Sequence, residues 1–102
     1  MSKIHIPFLP AFKLPMLEGT KTMTSRTRQY GNPGDRFTAW GATFEIREVS
    51  HLLLSTVRDK FFTQEGFTNP GEFVSVWEKL HPIKGFDPDQ AVYTHSFRKE
   101  TP

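Results

Sequence analysis

The apolar residues of this chain change their spacing twice, and that change restricts the fold more than any other feature. From Arg36 to Trp40 and from Thr43 to Leu54, β-branched and aromatic residues alternate with polar ones, the period of a strand with one covered face. Val57, Phe61 and Phe62, then Phe73, Val76, Trp77 and Leu80, instead recur at helical intervals. Gln90 to Arg98 returns to alternation. Strands, then helices, then a late strand define a small α+β fold whose sheet is expected to close into a barrel, with two to three helices plugging one end.

Local signals set the boundaries. Lys3 to Pro10 alternates briefly and then meets two prolines, which suits an extended arm over residues 1–9 better than a central strand. Phe12, Met16 and Leu17 predict a first helix over 11–18, closed by Gly19 as a left-handed cap, although Pro15 is awkward inside it. Thr22 to Arg26 reads as a strand, and Tyr30 to Asp35 as a reversal rich in Gly, Asn and Pro. Within Thr43 to Leu54 the apolar parity fails partway, which predicts a bulge or change of partner near Ser50. Ser55 or Thr56 is expected to cap the next helix and Gly66 to end it. The third helix, Pro70 to Leu80, is the best marked: Asn69 caps it, Pro70 opens it, and Glu72 lies near its positive end. Residues 99–102 are expected to fray.

Composition excludes several classes. A chain of 102 residues fits one domain, 1–102, and its ten phenylalanines are ample for one core. A formal charge of +2 permits contact with a nucleotide or short RNA but lacks the Lys/Arg runs of a protein gripping many phosphates. The absence of cysteine rules out disulfides, thiolate zinc sites and cysteine nucleophiles. His5, His51, His81 and His95 show no metal-ligand spacing, so neither a metal nor another cofactor is expected. No apolar run reaches membrane-span length, and a soluble, cytoplasmic protein, monomer or weak dimer, is the expectation.

Chemistry is densest in Gly19-Thr20-Lys21-Thr22-Met23-Thr24-Ser25-Arg26, which joins a flexible turn, an amine, several hydroxyls and a fixed cation. On residues alone, such a strand is ordinarily solvated sheet surface. The spacing Gly19-x-Lys21-x-x-Thr24-x-Arg26, after a short helix and before the Pro33-Gly34-Asp35 turn, resembles the signature of ASCH domains, whose fold is a PUA-like β-barrel. Gln64-Glu65-Gly66-Phe67, followed by the helix ending Leu80-His81-Pro82, is similar to the matching region of the small bacterial N4-acetylcytidine amidohydrolases of that superfamily. The resemblance runs over roughly positions 10 to 98. It departs from the pattern in its Pro-rich opening and in Ser25, where a larger apolar residue is usual.

The resemblance implies an amidohydrolase that removes the acyl group from N4-acetylcytidine or a related N4-acylated cytosine nucleoside. Its catalytic set would be Thr24 as nucleophile, Lys21 as base and Glu65 handling protons, with Arg26, Gly19 and Tyr30 binding substrate. A threonine hydroxyl needs an adjacent base. Burial or Arg26 would lower the Lys21 pKa toward that task, and a close Glu65 would raise it. In a regular strand Lys21 and Thr24 face opposite sides, so Lys21 is expected in the turn, reaching back with its long stem. Alanine at Lys21 or Thr24 is expected to abolish turnover and leave the fold intact. The alternative is an RNA-binding module, with or without ribonuclease activity. For that reading Trp40 and Tyr30 offer stacking surfaces, and Arg26, Arg28, Arg36 and Arg47 a basic rim, although core packing for Trp40 and Trp77 and a solvated face for the arginines explain these residues equally well.

Overall fold

The opening segment lies along the sheet as an extended arm. In the computed structural model, which describes residues 2–101, Lys3 bridges Arg36 in parallel, and the Ile4 N–H donates to the Arg36 carbonyl at 2.8 Å. Ile6 from this arm is buried in the core. A 3-10 turn, Pro10–Phe12, leads into helix α1, Lys13–Glu18. Pro15 is accommodated because it falls in the first turn of α1, where its missing N–H would have had no intrahelical partner. Its carbonyl accepts from the Thr20 and Lys21 N–H groups at 2.9 Å each, and Gly19 caps the helix with φ 85°.

Strands β1 (Met23–Arg26), β2 (Arg36–Ala39), β3 (Ala42–Leu53) and β4 (Ala91–Lys99) form an antiparallel sheet in the order β1-β4-β3-β2. The sheet curls as a half-barrel, the α+β architecture expected, with three helices. β2 and β3 turn about Trp40 and Gly41, whose φ values of 50° and 76° suit a tight two-residue hairpin. The irregularity in β3 lies at Arg47, not near Ser50: Ile46 faces Phe97 and Glu48 faces Ser96, leaving Arg47 unpaired. That extra residue flips the parity, so Phe44 and Ile46 before it and Val49 after it all reach the same core.

Helix α2, Leu54–Lys60, starts earlier than hydroxyl caps would place it. Its first N–H groups are satisfied from elsewhere, Leu54 by the Gln90 carbonyl at 2.8 Å and Ser55 by that of Pro88 at 3.1 Å. Helix α3, Pro70–Leu80, has the expected bounds, and the Asn69 side chain accepts the Glu72 N–H at 3.0 Å. Ile6, Met16, Phe37, Phe44, Ile46 and Phe97 form one apolar cluster, and Leu54, Val57, Phe73, Trp77 and Val92 a second. β4 supplies both, through Phe97 and Val92. Lys99, expected in a frayed tail, is the last residue of β4, and the Glu100 N–H donates to the Thr43 carbonyl at 2.8 Å. Residue 102 lies outside the described residues. Among those described, no helix is long and apolar enough to cross a membrane.

Candidate functional site

Backbone hydrogen bonds bring the two halves of the site together. The loop after α2 lies against the start of β1, with the Thr22 and Met23 N–H groups both donating to the Gln64 carbonyl, at 2.8 and 3.0 Å. This sets Glu65 beside Lys21, 44 positions earlier. Gly66 makes the approach possible. Its φ of 100° is left-handed, and a Cβ there would stand 3.0 Å from the Lys21 Cβ.

Lys21 precedes β1 and is only 2% exposed. Its Nζ donates to the Glu65 carbonyl at 2.7 Å, to the Met23 carbonyl at 2.8 Å and to Glu65 Oε1 at 3.4 Å. These acceptors match the three protons of an ammonium. The same nitrogen lies 4.3 Å from the centre of the Phe12 ring. Burial pulls the Lys21 pKa below the usual lysine range; the Glu65 carboxylate opposes this, and the Arg26 guanidinium adds to it. Glu65 Oε2 accepts the Ser25 hydroxyl at 2.6 Å, a short bond of the kind made to a charged acceptor.

Thr24 and Arg26 share the other parity of β1. Arg26 Nε donates to Thr24 Oγ1 at 3.0 Å, and its Nη2 to the Pro7 carbonyl of the arm at 2.7 Å. The guanidinium lies 5.0 Å from the Phe8 ring centre and 5.5 Å from that of Tyr30. Among the described residues no hydrogen bond joins Lys21 to Thr24.

All these groups line one cavity of about 370 Å³ between the arm, β1 and α3. Phe8 and Phe12 form one side, while Phe73, Trp77 and His81 form another. Trp77 and His81 stack with ring centres 4.2 Å apart, and the indole N–H is buried without a hydrogen-bond partner among the described residues. Of the residues predicted to act or bind, Lys21, Thr24, Glu65, Arg26 and Tyr30 line this cavity. Gly19 does not: it caps α1 and borders a separate depression beside Phe44 and Phe97. Gly19 is absent from the cavity lining, and its left-handed turn releases the chain from α1 toward Lys21. Trp40 packs against the first apolar cluster and Trp77 belongs to the second, yet Trp77 also faces the cavity. The stacked pair was foreshadowed by the four-residue spacing of Trp77 and His81. No group of three or more His, Asp or Glu among the described residues is arranged to hold a metal ion.

His95 supports the site from behind. It is fully buried in β4, and its Nε2 accepts the Tyr30 N–H at 3.0 Å. The proton therefore sits on Nδ1, which donates to the Thr24 carbonyl at 3.3 Å. Burial lowers the His95 pKa, with a further push from Arg26 that the hydrogen bond to Thr24 opposes. As pH falls, the unfolded chain takes up this proton first, near its ordinary pKa of about 6.5. Stability from neutral His95 is complete above that pH and is lost as pH falls toward the lower folded value. Wild-type melting temperature should thus drop more steeply between about pH 7 and 5 than that of His95→Gln. Parallel slopes in thermal melts would remove His95 as the cause.

The architecture defines the class: the chain has the fold of ASCH domains. It is similar to the ASCH domain from Lactobacillus crispatus JV V101, with a TM-score of 0.66 and 15% identity over 96% of this chain and 78% of that one. Protein EF3133 from Enterococcus faecalis V583, of family DUF984, gives 0.65 and 19% over the same shares. Hypothetical protein PH0355 gives 0.69 and 11% over 97% of this chain and 96% of that one. At such identities the likeness is one of fold. No protein-family model matches the chain, and no curated protein matches it.

Proposed function

We propose that the cavity hydrolyses an amide, removing the acyl group from an N4-acylated cytosine nucleoside such as N4-acetylcytidine. The observation that carries this reading is the meeting of a buried Lys21–Glu65 ion pair with the hydroxyls of Thr24 and Ser25 at one aromatic-walled cavity. A solvated charged face has no use for a lysine 2% exposed. The volume, about 370 Å³, is within the range of small-molecule sites, and flat rings along the walls suit a nucleobase.

In this reading a hydroxyl of β1 attacks the acyl carbon, and the resemblance assigns that part to Thr24. Arg26, already hydrogen-bonded to Thr24 Oγ1, supplies positive charge where the carbonyl oxygen becomes negative. Glu65 carries the proton from the attacking group to the departing cytosine amine. Lys21, with its protons directed to three acceptors, serves as a fixed cation rather than as the base that the resemblance implies.

Purified protein incubated with N4-acetylcytidine should shift its ultraviolet absorbance to that of cytidine, with release of acetate. A second reading, an RNA-binding module, draws on Arg28, whose guanidinium lies 3.9 Å from the Tyr30 ring centre at the cavity. Absence of turnover, together with binding of short RNA that weakens steeply with salt, would replace the first reading by the second.

A further inference from the structure

We propose that Ser25, rather than Thr24, is the attacking hydroxyl, with Glu65 as its base and Lys21 as the group that orients the base. The proposal rests on the amide-hydrolysis reading and names the nucleophile of that same site. An activated hydroxyl is recognised by a proton acceptor within hydrogen-bond reach that is itself held by a third group. Ser25 meets this description: its Oγ donates to Glu65 Oε2 at 2.6 Å, while Glu65 Oε1 is paired with Lys21 at 3.4 Å. Lys21 is anchored in turn by the carbonyls of Met23 and Glu65.

Thr24 lacks that environment. Among the described residues its side chain is hydrogen-bonded to the Arg26 Nε–H, and a guanidinium donates but does not accept. A hydroxyl held in this way is suited to donate its own proton to the substrate carbonyl. Thr24 and Arg26 then stabilise the oxyanion, and Ser25 makes the bond. Both hydroxyls line the cavity, and Ser25 retains 8% exposure toward it.

In the first step Ser25 Oγ bonds to the acyl carbon and its proton passes to Glu65 Oε2. The tetrahedral adduct collapses, the C–N bond breaks, and the cytosine amine leaves with the proton held by Glu65. Water then attacks the acyl-serine ester and gives a proton to Glu65. Glu65 returns it to Ser25 Oγ as the carboxylic acid departs.

The test combines labelling with turnover. Wild-type protein treated with a fluorophosphonate should form one Oγ–P bond with loss of fluoride, mapped by peptide mass spectrometry to Ser25. Glu65→Gln should not label, and Thr24→Val should still label at Ser25. In parallel, Ser25→Ala should lower kcat on N4-acetylcytidine by at least about 1,000-fold, and Thr24→Val by about 100-fold. A label on Thr24, or none on either residue, overturns the proposal. So does a Ser25→Ala protein that keeps turnover while Thr24→Val loses it, an outcome that leaves the proposed function standing. Wild-type protein without turnover but labelled at Ser25 would sink the substrate and retain the nucleophile. Labelling of the unmutated chain makes the result independent of how well any variant folds.

Discussion

Lys21→Ala is expected to destabilise the protein by about 3–5 kcal/mol, the usual cost of removing one partner from a buried ion pair. Sequence reasoning treats the lysine as a reactive group whose loss spares the fold, but the side chain is 2% exposed and that of its partner 5%. Truncation leaves a buried carboxylate with the Ser25 hydroxyl as its remaining side-chain donor and deprives the Glu65 and Met23 carbonyls of theirs. For a small domain, whose total stability is about 5–15 kcal/mol, this is a large fraction. Urea titration of the variant measures the loss, and a fall of less than about 1 kcal/mol would contradict the account. The paired change Lys21→Met with Glu65→Leu should restore much of the stability while turnover stays absent, because the charges are then removed together. That double variant separates the energetic part played by the pair from its chemical part.

Glu65→Gln is expected to reduce kcat for the amide substrate by about 100- to 10,000-fold, the typical worth of a positioned proton acceptor. Its effect on stability should be smaller than that of Lys21→Ala. The shape of the side chain is kept, and the amide oxygen can still accept from one of the two donors that Glu65 now serves, the Lys21 ammonium and the Ser25 hydroxyl. Steady-state kinetics with a thermal melt on the same sample checks both halves. Retention of kcat within about threefold would exclude proton transfer through this carboxylate.

The sequence discloses these features unevenly, for physical reasons. Helix α3 is plain because its cap, its opening proline and its apolar stripe all lie within a dozen consecutive residues, Asn69 to Leu80. The start of α2 is hidden because carbonyls of Pro88 and Gln90 satisfy it, and no local signal reports a partner that distant. The bulge at Arg47 is displaced from its expected place near Ser50 because the break in parity shows only after the extra residue has been passed. In the site, Lys21, Thr24 and Glu65 stand out through motif resemblance, and strand parity correctly pairs Thr24 with Arg26. Ser25 reads as a gap in the wall, since what gives it chemistry is a carboxylate 40 positions away. His95 has two hydrogen bonds to β1 and the Tyr30 loop that only the folded sheet creates.

Gly66 gives the cavity a mark that carries no functional group. With φ at 100° and the stem of Lys21 within 3.0 to 3.5 Å of where a Cβ would stand, the position has room for a hydrogen and little more. A chain that kept the lysine, the glutamate and both hydroxyls but carried valine or isoleucine after the glutamate would have no passage for the lysine stem, whatever chemistry its side chains spelled out. In screening other chains for this arrangement, the glutamate–glycine step is therefore as informative as the charges: an empty position is what admits the charged one.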